Sequence, residues 1–154
     1  MEDSTALKRI DRCSFEIGMI NCFVEMVACG VKRLALSPPL SPEDYERIKP
    51  WSEKIVAGFG MKSWLEKRLI ATALQSDAFI AGKWVILYYK TDDVLDSYKA
   101  LKEKRALLDT GKGPEQHALT AISREFMQLL SYPEQVIDEK LSGRTKDPFI
   151  LIPD

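Results

Sequence analysis

The chain is short of the residues that most often carry chemistry. It has a single histidine, His117, a single asparagine, Asn21, and three cysteines, Cys13, Cys22 and Cys29, all near its start. One histidine excludes the carboxylate-bridged di-iron bundles, which need a Glu-x-x-His motif on each of two helices. His117 stands alone, and the position three before it is Pro114. No Cys-x-x-Cys pair occurs, so zinc sites built on paired cysteines lack their ligands. Cys22 and Cys29 would lie about 10 Å apart along a helix, beyond the reach of a disulfide. All three thiols are expected to behave as small buried hydrophobes in a reducing cytoplasm. Neither a metal site nor a cofactor is expected.

Charge of one sign is also missing. Lysine and arginine number 22 against 23 acidic residues, a net charge of −1, so no nucleic-acid footprint is expected. No uninterrupted apolar run of about 18 residues and no signal peptide opens or crosses the chain, which excludes a membrane span and points to the cytoplasm. The lone asparagine leans toward a thermophilic source, while three cysteines and five methionines lean away from one. The phosphate loop is absent too. Thr110-Gly111-Lys112-Gly113-Pro114 lacks the first glycine and the Lys-Ser/Thr pair of that motif, and reads as a turn between helices.

What is present is apolar periodicity. Ile10, Cys13, Ile17, Ile20, Val24, Val27, Val31 and Leu34 recur in three- and four-residue steps, one stripe of a helix over roughly 7–36. Phe15, Met19, Cys22, Met26 and Cys29 form a second stripe beside it. A helix apolar round most of its circumference is expected at the centre of a bundle. Its polar remainder is a narrow line through Asp11, Ser14, Gly18, Asn21, Glu25, Ala28 and Lys32.

Ser37-Pro38-Pro39-Leu40-Ser41-Pro42 breaks the chain. Ser41 then suits an N-cap, Pro42 the first helical turn, and Glu43 and Asp44 the positive end of the helix dipole. This second helix should present Tyr45, Ile48, Ile55, Val56 and Phe59 inward, kink near Pro50 and end at Gly58 or Gly60. Ser63-Trp64-Leu65-Glu66 reads as a capping box opening a third helix to Gln75. Trp84–Tyr89 has the composition of a strand, but its setting among helices favours a buried helix. Thr91-Asp92-Asp93 starts another, Pro114 the next, and Glu134–Leu141 the last. Phe149-Ile150-Leu151-Ile152 forms an apolar tail within 147–154 that should pack on the bundle or on a partner.

The expectation is one all-α domain over residues 1–154, five or six helices around a long central first helix. Six of the eight main-stripe positions are β-branched, a hint of higher association. The leading expectation for function is a non-catalytic helical protein that self-associates, as a homo-oligomer, or binds a protein partner. The competing one is a small-molecule site or enzyme with a pocket between helices near Asn21, Glu25 and Lys32. A carboxylate among apolar residues invites a raised pKa there. Against both, helices ordinarily turn their polar line to solvent. Trp51, Trp64, Trp84, Tyr88 and Tyr89 could stack on a flat ligand, but at these spacings they read as core.

Overall fold

The computed structural model describes residues 4–74, 80–109, 115–144 and 152. It corrects the all-α expectation, because three strands form an antiparallel sheet among the helices. The elements run α1 (Ser4–Leu7), α2 (Arg12–Ala28), β1 (Leu34–Leu36), α3 (Pro42–Phe59), β2 (Lys62–Glu66), β3 (Val85–Tyr89), α4 (Asp92–Ala106), α5 (Gln116–Leu129) and α6 (Glu134–Leu141). The strand order is β1-β3-β2.

The first helix is shorter than its apolar stripe. Gly30 adopts φ +78°, where its N–H reaches the Val27 carbonyl and the Val31 N–H that of Met26. This double closure is a Schellman cap, and glycine enters that conformation without a Cβ penalty. Beyond it Leu34, Ala35 and Leu36 pair with Tyr89, Tyr88 and Leu87. Val31 and Leu34 keep helical phase only by coincidence. The helix is also not central: it lies on one side of the sheet, and Cys22 and Cys29 on it are exposed rather than buried.

α3 begins as its local signals require. Ser41 accepts a hydrogen bond from the Asp44 N–H at 3.1 Å and Pro42 opens the first turn. The helix continues through Pro50 to Phe59, and Gly60 at φ +68° repeats the Schellman cap.

The apparent capping box is instead strand β2, with Ser63 opposite Tyr88, Trp64 opposite Leu87 and Leu65 opposite Ile86. Trp84–Tyr89 is likewise not a helix. It yields β3, the middle strand, buried at all five of its positions. Both of its faces are covered, so its side chains show no apolar–polar alternation. Ile86 and Tyr88 meet Ile20, Val24, Val27, Ile48 and Val56 of α2 and α3. Val85, Leu87 and Tyr89 meet Val94, Leu95, Tyr98, Leu101, Ile122 and Phe126 of α4 and α5. The result is a helix–sheet–helix sandwich. The expected third-helix end at Gln75, the loop glycines, Pro114 and all of the apolar tail except half-buried Ile152 fall outside the described residues.

Five buried hydroxyls hold the elements together. Tyr88 and Ser52 share a hydrogen bond of 2.8 Å between β3 and α3. Ser37 accepts from the Ile86 N–H, and Ser123 from the Ala73 N–H. The Tyr98 hydroxyl donates to Glu66 at 2.9 Å and accepts from the Ile70 N–H at 3.2 Å.

Candidate functional site

α2 and α3 start at the same end of the molecule, where Arg12 and Asp44 form a 2.8 Å ion pair. Below that pair the helices leave an open groove of about 660 Å³. Ser14, Ile17, Gly18 and Asn21 form the α2 wall, and Trp51, Lys54, Ile55, Gly58 and Phe59 the α3 wall. Each wall contains a glycine, and a Cβ built on either Gly18 or Gly58 would meet nothing within 4 Å. The missing side chains therefore widen the groove. Trp51 is 53% exposed and Phe59 37% exposed, with the Lys54 ammonium 5.8 Å from the Trp51 ring centroid.

The polar line of the first helix divides here. Asp11 caps α2 by accepting from the Ser14 N–H, and the Ser14 hydroxyl and amide together hold its carboxyl below the usual carboxylate range. Asn21 faces the groove. Glu25 is exposed but does not line it. Lys32 lies past the helix end and turns inward, its Nζ donating to the Leu130 carbonyl at 2.8 Å and lying 4.9 Å from the Tyr132 ring centroid. Burial pushes its pKa down. Lys32 thus ties the end of α2 to the end of α5, where cations are favoured by the carbonyls of the last turn. Asn21, Glu25 and Lys32 do not converge on one pocket.

A second polar cluster is held within the fold. Glu66, 8% exposed, accepts from Tyr98, from Lys102 Nζ at 2.8 Å and from the Arg68 N–H at 3.0 Å. Burial first, and the Glu66 charge second, push the Tyr98 phenol above its ordinary value. Burial does the same to Tyr88, against the opposing effect of its Ser52 bond. Every polar group in this cluster is satisfied within the fold. His117 is exposed on α5. Among the described residues, no group of three or more His, Cys, Asp or Glu side chains could hold a metal ion, and no helix is long and apolar enough to cross a membrane.

The α3 wall was only partly marked in the chain. Trp51 is marked as an aromatic and Ile55 and Phe59 by periodicity; Gly58 reads as a helix end, which the helix passes through to the cap at Gly60, and Lys54 carries no signal of its own. Trp51, beside the buried Ser52 yet itself exposed, is the feature that points to the groove. No protein-family model, curated protein or solved structure matches this chain, so its function rests on the chemistry of its own surfaces.

Proposed function

We propose that this is a non-catalytic binding protein whose α2–α3 groove receives a helix from a protein partner. One observation carries the reading: an open apolar channel flanked by exposed Trp51 and Phe59, with a glycine in each wall. Amphipathic helices dock into apolar channels between two helices through anchors at i, i+3, i+4 and i+7. Tryptophan is enriched among the residues that dominate such interfaces. Among the described residues that line the groove, Lys54 is the one ionisable side chain and has no acid–base partner there. Asn21 can donate and accept at the channel edge, which suits orienting a partner's backbone or side-chain amide.

A helix-biased peptide library displayed against the protein tests this. Parent-selected ligands should carry apolar residues at helical spacing. They should bind Trp51→Glu and Gly18→Leu at least roughly tenfold more weakly, since a central aromatic anchor is commonly worth 2 kcal/mol or more. Selected ligands indifferent to both substitutions would overturn the proposal. The competing small-molecule reading keeps Asn21 as its one foothold, because Glu25 and Lys32 lie outside the groove.

A further inference from the structure

β2 is an outer strand of the sheet, and among the described residues no strand pairs with its outer side. After Glu66 the described chain runs beside α4 and α5, where the Ile70 N–H donates to Tyr98, Arg105 to the Ala71 carbonyl and the Ala73 N–H to Ser123. Lys62, Ser63 and Trp64 are exposed, Trp64 to 42%. Outer strands are ordinarily guarded by inward charges, prolines or bulges. Here Glu66 is such an inward charge at one end and Lys62 a charge at the other, while the three middle residues, Ser63, Trp64 and Leu65, carry no charge and no proline.

The five-residue strand is complementary to itself. Laid antiparallel against a second copy with Trp64 on the two-fold axis, Lys62 stands opposite the partner's Glu66, and Ser63 opposite the partner's Leu65. Antiparallel neighbours directly opposite one another interact, and opposite charges there are favourable. A carboxylate has about four acceptor sites. Glu66 uses three, on Tyr98, Lys102 and the Arg68 N–H, which leaves one for an incoming ammonium. Lys62 reaches Asp92 on the protein surface, a pairing that water already weakens. The alternative centres, Ser63 or Leu65, would leave Lys62 facing an uncharged residue or running past the strand end.

We propose that β2 is the edge through which two copies of this chain join, strand against strand and antiparallel about a two-fold axis at Trp64, making one six-stranded sheet. The occupant is a second copy because only that register sets Lys62 and the partner's Glu66, opposite charges, directly across from each other. The proposal is independent of the α2–α3 groove, which none of the β2 residues lines.

Sedimentation velocity across the micromolar range, with Trp64→Lys alongside the parent, is the first test. The parent should dimerise. Trp64→Lys sets two like charges across the axis and should raise the dimer dissociation constant roughly tenfold or more. Trp64 is surface-exposed, so the variant should retain the parent's circular dichroism, and that measurement guards against simple misfolding. The second test reads the register. In a background with Cys13, Cys22 and Cys29 changed to serine, Trp64→Cys should form an intermolecular disulfide under mild oxidation. Directly opposed residues have Cα atoms about 4.5–5.5 Å apart, within disulfide range. Ser63→Cys should not, since its own copies would lie diagonally, about 7–8 Å apart. A parent that stays monomeric to high micromolar concentration overturns the proposal. So does a dimer that survives Trp64→Lys or cross-links through position 63 in preference to 64.

Discussion

Removing one oxygen from Tyr98 should cost more than removing the equivalent oxygen from Tyr88, although both rings are fully buried. The Tyr98 hydroxyl serves two groups at once. It donates to the Glu66 carboxylate and accepts from the Ile70 N–H. In Tyr98→Phe the carboxylate keeps Lys102 and the Arg68 N–H, so it loses one charge-assisted bond, worth about 1.5–3 kcal/mol. The Ile70 N–H, on a residue only 1% exposed, is left without a partner at about 1–3 kcal/mol. These contributions overlap, and about 2–4 kcal/mol is the expected loss. For a domain of this length that lowers Tm by about 5–15 °C. Tyr88→Phe breaks a single neutral bond to Ser52, and a helical serine can turn its hydroxyl to the preceding turn's carbonyl instead. Its loss should be about 1 kcal/mol, or about 2–4 °C. Urea unfolding of parent and both variants, with unchanged m-values, measures the difference. A Tyr98→Phe cost equal to or smaller than that of Tyr88→Phe would refute the two-bond account of Tyr98.

Other expectations follow from the same contacts. Both phenols are held neutral above their ordinary range, so unfolded tyrosines ionise first as pH rises through about 10, and stability should fall there by up to about 1.4 kcal/mol per pH unit for each. The Tyr88→Phe/Tyr98→Phe double variant should show a shallower alkaline decline than the parent, read by urea midpoint against pH. Gly30→Ala should cost about 1–2 kcal/mol by urea unfolding, because φ is +78° while the new Cβ meets nothing within 4 Å. Ser131 takes the same left-handed conformation at φ +68° and accepts from the Arg33 N–H at 2.8 Å. Ser131→Ala should therefore be less stable than Ser131→Gly by about 1 kcal/mol, since both lose the bond and only alanine keeps the strain. Equal stabilities for those two would remove the backbone explanation.

Signals confined to a few neighbouring residues were legible in the chain, and those that depend on distant ones were not. Ser41-Pro42-Glu43-Asp44 and Thr91-Asp92-Asp93 start helices wherever they stand, and both do so here. Glu134–Leu141 is a helix for the same reason. The apolar steps from Ile10 to Leu34 hid a helix end at Gly30, because a glycine cap costs nothing that periodicity can register. Ser63 and Glu66 have capping-box spacing, yet Glu66 is spoken for by Tyr98 and Lys102, residues 32 and 36 positions away. β3 was the hardest segment. Helices cover both its faces, so it lost the alternation that marks a strand and kept only its β-branched and aromatic composition. At the groove, the α2 wall was visible as a polar line, with Asn21 on it. Lys32 shares that line in projection, but the chain has already left the helix before reaching it.

The strand order has a consequence for how the molecule is made. β3 is the centre of the sheet and the last strand to leave the ribosome. About 50 residues separate β1 from it, so at roughly 5–20 residues per second β1 waits several seconds for the strand it pairs with. Through that interval α2 and α3 can close only against each other, and the nascent chain carries two unpaired strands and an apolar layer without its sheet. A fragment ending before Val85 lacks the strand through which β1 and β2 are joined into one sheet.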